Sequence, residues 1–190
     1  MSLRRILQID DPDDKKILKT RCHPVRLPNP ALKQLVADMF ETMHAANGVG
    51  LAAPQIGLTQ RLTVIYIPAE VEEHEDGTVV ELAPEEHYVL INPEIVKFSN
   101  EEIIRHEGCL SLPGWYGDVP RATWVTVDYQ DLEGKRRRLR KAGGLLGWAI
   151  QHEVDHLDGI LFTERIRDLS TLKDYRSESP NEEQPAEQVV

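Results

Sequence analysis

From residue 32 the chain repeats an apolar pattern: Leu32, Leu35, Val36, Met39, Phe40 and Met43 fall at alternating steps of three and one. Such steps close on one face at about 3.6 residues per turn. Asn29 followed by Pro30 supplies an N-cap and a first helical residue, and Asn47-Gly48 supplies a stop. The pattern therefore predicts a helix over 30–46. The period then changes. Arg61 to Pro68, with Leu62, Val64, Ile65 and Ile67, predicts a strand. Residues 78–80 predict another, turned by Asp76-Gly77. Tyr88 to Phe98 reads as a strand broken at Asn92-Pro93, and Glu102 to Arg105 as a further one. Thr123 to Tyr129 shows Thr-Trp-Val-Thr-Val alternation, the mark of a half-buried strand. A second helix is predicted over 144–157, ended by Gly159, with Ile160-Leu161-Phe162 as a short strand after it. Strands gathered before one late helix predict an α+β fold, with mostly antiparallel strands packed around that helix, rather than alternating βαβ units.

Charge refines the boundaries. The net charge is −10, but residues 69–87 hold eight acidic side chains and no Lys or Arg, and residues 170–190 carry a net −3. With those removed, the rest of the chain stands at +1. The acidity therefore belongs to one insertion, 69–87, and to one polar, Pro-containing tail, 170–190, predicted to be disordered. One domain is predicted over 1–169. No run of 18 apolar residues is present, which excludes a spanning helix, and the start turns acidic before any signal-length apolar region. A cytoplasmic protein is expected, with no membrane and no DNA partner. Two cysteines, Cys22 and Cys109, give no disulfide framework. The basic run Lys135 to Lys141 reads as an exposed strand; RNA contact ranks low for it because no aromatic residue interleaves the charges.

Chemistry enters at Gln151-His152-Glu153-Val154-Asp155-His156. Four helical residues advance roughly 6 Å along the axis and close on one face, so His152 and His156 can grip one metal ion. Glu153 can lean over the open coordination position. A metal to acidify water and a carboxylate to take its proton together make the apparatus of metal-assisted hydrolysis. The preceding Leu145 to Ile150 is almost wholly apolar, so this helix is predicted to be buried, and its polar side chains then need partners. A catalytic site of this kind takes three protein ligands. Cys109, Cys22 and the remaining His are the candidates for the third; Cys109 sits in the turn-rich Glu107-Gly108-Cys109-Leu110-Ser111-Leu112-Pro113.

Three segments in order, Gly48-Val49-Gly50-Leu51-Ala52-Ala53-Pro54-Gln55, Glu107-Gly108-Cys109-Leu110-Ser111 and Gln151 to His156, resemble the three motifs of peptide deformylases. The resemblance spans about residues 5 to 166. It implies a catalytic domain that hydrolyses the formyl group from the N-terminal formyl-methionine of new chains, with formate as product. It further implies Cys109, His152 and His156 as metal ligands and Glu153 as general acid/base. Gln55 and the Leu110 backbone N–H become the stabilisers of the oxyanion, and Gly50 a hydrogen-bonding partner of the substrate backbone. A Cys-His-His set by itself suits zinc; the family implies one Fe2+ per chain, with Zn2+ or Ni2+ able to occupy the site. N-formylmethionyl peptides and nascent chains are the implied partners, with transient ribosome association.

An apolar pocket for the methionine side chain is expected. Leu145, Trp148 and Ala149 stand seven, four and three positions before His152 on one helix face, and Val49 is small enough to complete the wall. Glu107, Arg121 and Asp155 are expected to form a buried charge network beside the ligands. Ser111 lacks a G-x-S-x-G context for a nucleophile.

Overall fold

The structure, a computed structural model, describes residues 2–74 and 78–176. In chain order its elements are α1 (Pro12–Leu18), α2 (Leu32–Ala45), β1 (Gly50–Ala52), β2 (Leu62–Ile67), β3 (Glu70–Glu73), β4 (Val79–Ala83), β5 (Glu86–Phe98), β6 (Glu102–Cys109), β7 (Leu112–Ala122), β8 (Trp124–Gln130), β9 (Arg136–Gly143), α3 (Gly144–Leu157) and β10 (Lys173–Asp174), with short 3-10 turns at Ala53–Ile56, Phe162–Glu164 and Leu169–Thr171. The strands form sheets ordered β1-β2-β5-β8-β9, β10-β7-β6 and β3-β4, and every strand pairing is antiparallel. The α+β fold expected from the sequence is the fold observed.

Strand β2 shows why two helices are needed. Its first four residues are all buried, and successive side chains of a strand face opposite ways. Leu62 and Val64 join a core with Leu32, Val36, Met39 and Met43 of α2. Ile65 joins a second core with Ala149, Ile150 and Val154 of α3. The five-stranded sheet is thus covered on both faces, so β2 reads as a continuous apolar run rather than an alternating one. Helix α3 is buried from Gly147 to Leu157, because the β7 side of the molecule closes over its other flank. The apolar first half of the helix is buried by its hydrophobicity, and the polar second half is buried because its side chains find partners there.

Several boundaries differ from the sequence reading. Helix α2 begins at Leu32, not Pro30, with Ala31 at the cap position, and the predicted cap Asn29 stands before it, its side chain accepting the Ala31 N–H at 3.2 Å. The strand thought broken at Asn92-Pro93 runs unbroken through β5. Asn92 takes the left-handed conformation there, and the register with β8 shifts. Residues 160–162 make no strand; Phe162 instead opens a 3-10 turn and packs with Cys109, Val119 and Ile166. Among the elements that escaped the pattern are α1 and β7. Helix α1 is set by local capping, with the Asp11 carboxylate accepting the Asp13 N–H at 2.8 Å, and β7, rich in Gly and Pro, has little apolar alternation. The start of the predicted disordered tail is ordered: Lys173 and Asp174 pair with Tyr116 and Trp115 of β7. Residues 177–190 and the Asp76-Gly77 turn lie outside the described residues. Among the described residues no helix is long and apolar enough to cross a membrane.

Candidate metal centre

Pairing β6 with β7 through a two-residue turn at Leu110-Ser111 places Cys109 at the end of a strand, against α3. Cys109 Sγ lies 3.2 Å from His156 Nε2, and His156 Nε2 lies 3.2 Å from His152 Nε2. All three side chains are buried, and their ligand atoms lie within 4.8 Å of one another. With metal–nitrogen bonds of about 2.0–2.1 Å and a metal–sulfur bond of about 2.3 Å, a tetrahedral site has edges of roughly 3.3–3.6 Å. The observed edges approach that size. His152 Nδ1 faces Glu107 Oε2 at 2.9 Å, which leaves Nε2 as the lone-pair nitrogen aimed at the centre. The residues present therefore fit one divalent ion. His106, adjacent to the Cys segment, is turned away: its Nδ1 meets Asp118 at 2.8 Å and its ring stacks on Tyr116. Cys22 is buried in a small cluster with Ala52 and Leu157.

The surroundings favour positive charge at the centre. Burial works to raise the pKa of Glu107, but hydrogen bonds from Arg121 and His152 outweigh it and hold the carboxylate down to about 2. Burial likewise disfavours charge on His152, yet the Cys109 sulfur and the Glu107 carboxylate lift its pKa to about 10. Positive charge is thus favoured on His152, while burial and the charges of His152 and Arg121 hold the pKa of His156 well below its ordinary value and keep that ring neutral. The sulfur is itself cradled: the Ser111 N–H approaches it at 3.4 Å and Gln55 Nε2 at 3.7 Å.

Glu153 points into this space from α3. Its Oε2 lies 3.0 Å from the Thr63 hydroxyl, while its Oε1 is buried with no hydrogen-bond partner among the described residues. Burial pushes its pKa up to about 7, against the lowering effects of His152 and Thr63. A group near that value can both take and give a proton at neutral pH. Sequence reasoning missed Thr63. Only the pairing of Ala52 with Thr63 and Gly50 with Ile65 puts it on the α3 face of the sheet. The same pairing explains Gly50. A Cβ there would collide with Glu153 Oε1 and come within 2.9 Å of Glu153 Cδ. Gly50→Ala is therefore expected to displace the carboxylate and lower kcat by about 10²-fold while the fold survives, since misplacing a reacting group by about 1 Å costs that much. Steady-state kinetics beside a melting curve would check it; an unaltered kcat would remove the steric account.

Gln55 is fully buried and its orientation is fixed, since its Oε1 accepts the Ala52 N–H at 2.8 Å. Its Nε2 is thereby turned toward Cys109 and Ser111. Leu110 sits in the turn between β6 and β7, where its carbonyl accepts from Gln8 at 3.2 Å. An apolar cavity of about 280 Å³ opens beside Cys109, lined by Ile6, Ala46, Leu110, Pro113 and Tyr116 among others. Val49, Gly50, Leu145, Trp148 and Ala149 do not line it. Val49, Trp148 and Ala149 pack in the second core, with Leu145 half-buried at its edge. Trp148 also makes a contact the sequence did not suggest: its indole N–H donates to Glu107 Oε1 at 2.7 Å. A larger groove of about 1040 Å³ runs along the outer flank of α3, away from Cys109 and both histidines. Its arginines are paired with carboxylates, Arg61 with Asp158 at 2.6 Å and Arg167 with Glu102 at 2.9 Å, so it reads as solvated surface.

A Cys-His-His donor set buried beside a carboxylate, on an antiparallel α+β scaffold, defines a mononuclear metallohydrolase. The model of the polypeptide deformylase family matches residues 3–171. A peptide deformylase of Roseiflexus sp. (strain RS-1) is 77% identical over 94% of this chain and 96% of its own length. One from Chloroflexus aurantiacus is 70% identical over the whole of both chains. Among solved structures, a peptide deformylase from Legionella pneumophila is 40% identical and superposes with a TM-score of 0.72, covering 90% of this chain and 89% of its own. A class I type b peptide deformylase from Acinetobacter baumannii, solved with Met-Ala-Ser bound, gives 35% identity and a TM-score of 0.72 over 87% and 99%. The chain belongs to the polypeptide deformylase family. It is a metal-dependent hydrolase that removes the N-formyl group from newly made polypeptides.

Proposed function

We propose that Cys109, His152 and His156 hold the ion, that Glu153 is the general acid/base, and that Gln55 and the Leu110 N–H stabilise the developing oxyanion. The observation that carries this reading is the convergence of three buried donors within 4.8 Å, one turn of helix from a buried carboxylate oxygen without a partner among the described residues. When bound, the ion supplies Lewis-acid polarisation and makes water acidic enough to attack near neutral pH. Glu153 takes the proton of the attacking water and later delivers it to the departing amine, releasing formate and a free N-terminus. Thr63 keeps the carboxylate aimed throughout. As the formyl carbon becomes tetrahedral, negative charge grows on its oxygen. The Gln55 amide, locked by the Ala52 N–H, meets that charge without reorganising; one such donor is typically worth about 10²–10³ in kcat.

Met-Ala-Ser in the Acinetobacter structure supports peptides beginning with methionine as substrates, and the apolar cavity beside Cys109 suits an uncharged segment of such a chain. Val49, Gly50, Leu145 and Ala149 remain the proposed contacts to the first residue, whereas Trp148, first placed with them, has its indole N–H on Glu107. Fe2+ is the proposed ion, with Zn2+ or Ni2+ able to replace it, and the cytoplasm, where nascent chains leave the ribosome, is the proposed compartment. The basic strand β9 lies at the edge of the five-stranded sheet, and ribosome contact is transient in this reading.

Formate release from a formyl-Met-Ala peptide, measured on anaerobically purified protein with its metal content, tests the assignment. Activity tracking one equivalent of metal is expected. Bound metal without formate release, in the iron and nickel forms alike, would overturn it.

A further inference from the structure

We propose that Trp148 is a positioning residue for the metal centre: its indole N–H fixes the Glu107 carboxylate, and through it the ring of His152. The inference rests on the reading of Cys109, His152 and His156 as ligands and goes beyond the donor set. Four hydrogen bonds converge on Glu107, two on each oxygen. Oε1 receives Arg121 Nε at 2.6 Å and Trp148 Nε1 at 2.7 Å; Oε2 receives Arg121 Nη2 at 2.9 Å and His152 Nδ1 at 2.9 Å. Glu107 is fully buried, so no water competes for these sites.

The four donors are not equivalent. Arg121 and Glu107 form a planar, bidentate pair, with Arg121 anchored in turn on Asp155 at 2.6 Å. His152 is the group being positioned. Trp148 is the neutral donor of the set, its frame held by apolar packing rather than by charge, because its ring is wedged in the core with Ile65, Leu90 and Val125, only 7% exposed. An indole N–H also has no second tautomer and cannot accept. It therefore defines one orientation of the carboxylate, and Glu107 Oε2 then holds His152 with its proton on Nδ1 and its Nε2 lone pair on the centre. The Arg105 guanidinium lies over the indole ring at 5.6 Å, where a cation draws density from the ring and strengthens the N–H as a donor. Direct partners of a ligating His typically change metal affinity by about 10–100-fold when removed, and Trp148 acts through one of them, so the lower end of that range applies.

The test is Trp148→Phe, which keeps an aromatic ring in the core and removes only the donor. Zn2+ affinity, read by competition with a chromophoric chelator, is expected to fall by about 10-fold, with a smaller proportional change in the melting curve of the metal-free protein. A lower melting temperature with unchanged Zn2+ affinity would mean plain core packing. Altered discrimination at the first substrate residue with unchanged affinity would mean a pocket wall. Either result overturns the proposal. A second measurement needs no stable variant. In the wild-type protein the indole N–H resonance of Trp148, against those of Trp115 and Trp124, is expected to exchange slowly with deuterium oxide and to shift when Zn2+ is added. An indole signal that exchanges rapidly, or that ignores saturation with Zn2+, rejects the positioning role. Wild-type protein that binds no Zn2+ at all would instead remove the ligand assignment beneath it.

Discussion

Glu153→Ala is expected to keep its metal and its fold while kcat falls by about 10²–10⁴, the usual contribution of a positioned acid/base. The separation of the two properties follows from geometry. Glu153 is not among the three converging donors, and its nearest polar contact, the Thr63 hydroxyl, can turn to the Leu51 carbonyl at 3.0 Å when the carboxylate is gone. Stability should move the other way from activity. Burial raises the Glu153 pKa from an ordinary value of 4.5 to about 7. The folded protein therefore binds this proton more tightly than the unfolded chain, and stability falls as pH rises from about 4.5 through about 7. In metal-free protein, Glu153→Gln removes that penalty, so above pH about 7 it should melt higher than the wild type, and near pH 4.5 the two should converge. A group retained at a cost in stability is the expected signature of function. Near-native turnover in the alanine variant, or a melting difference that grows toward acid, would each count against the assignment.

What could be read from the sequence followed from how local each signal is. Helix α3 was legible to the residue because its apolar run, its Gly boundaries and its H-E-x-x-H spacing all lie within the sixteen positions from Gly144 to Gly159. Helix α2 was legible but read two residues early at its start, since the true cap is decided by backbone geometry at Asn29 to Leu32. Strand β7 was hidden because Gly114, Gly117, Pro113 and Pro120 replace the alternation that marks a half-buried strand. At the site, His152, His156 and Glu153 share one helix, and the resemblance of three short motifs added Cys109 and Gln55. The roles of Thr63 and Trp148 had no such signal. Thr63 meets Glu153 only because β1 pairs with β2 in one register, and the Trp148 contact with Glu107 spans 41 residues. Partnerships that depend on tertiary register leave no periodic trace in the chain.

The charge network behind the centre yields the largest expected loss of stability. Arg121, 5% exposed, holds both oxygens of Glu107 and also Asp155, at 2.6 Å. Asp155 has a second cation in Arg165, at 2.5 Å, but among the described residues no other arginine or lysine reaches Glu107. Arg121→Ala therefore leaves one carboxylate buried with only the neutral indole and His152 against it. Stranding a buried charge costs about 3–5 kcal/mol. In a chain of this size each kcal/mol shifts Tm by about 2–4 °C, so a fall on the order of 10 °C is expected. The pH dependence identifies the cause. In the wild type the Glu107 pKa is held from 4.5 down to about 2, so its ionised form stabilises the fold above pH about 4.5, and that contribution is lost as pH falls toward about 2. Without Arg121 the pKa rises, and the gap between variant and wild type should be widest at neutral pH and close on the acid side. Metal affinity should fall too, because His152 loses a firmly held acceptor. Melting curves across pH, with metal retention on the same samples, decide the matter. A variant as stable as the wild type at neutral pH, with its metal retained, would show that the network is ornamental and that Glu107 needs no cation to stay charged.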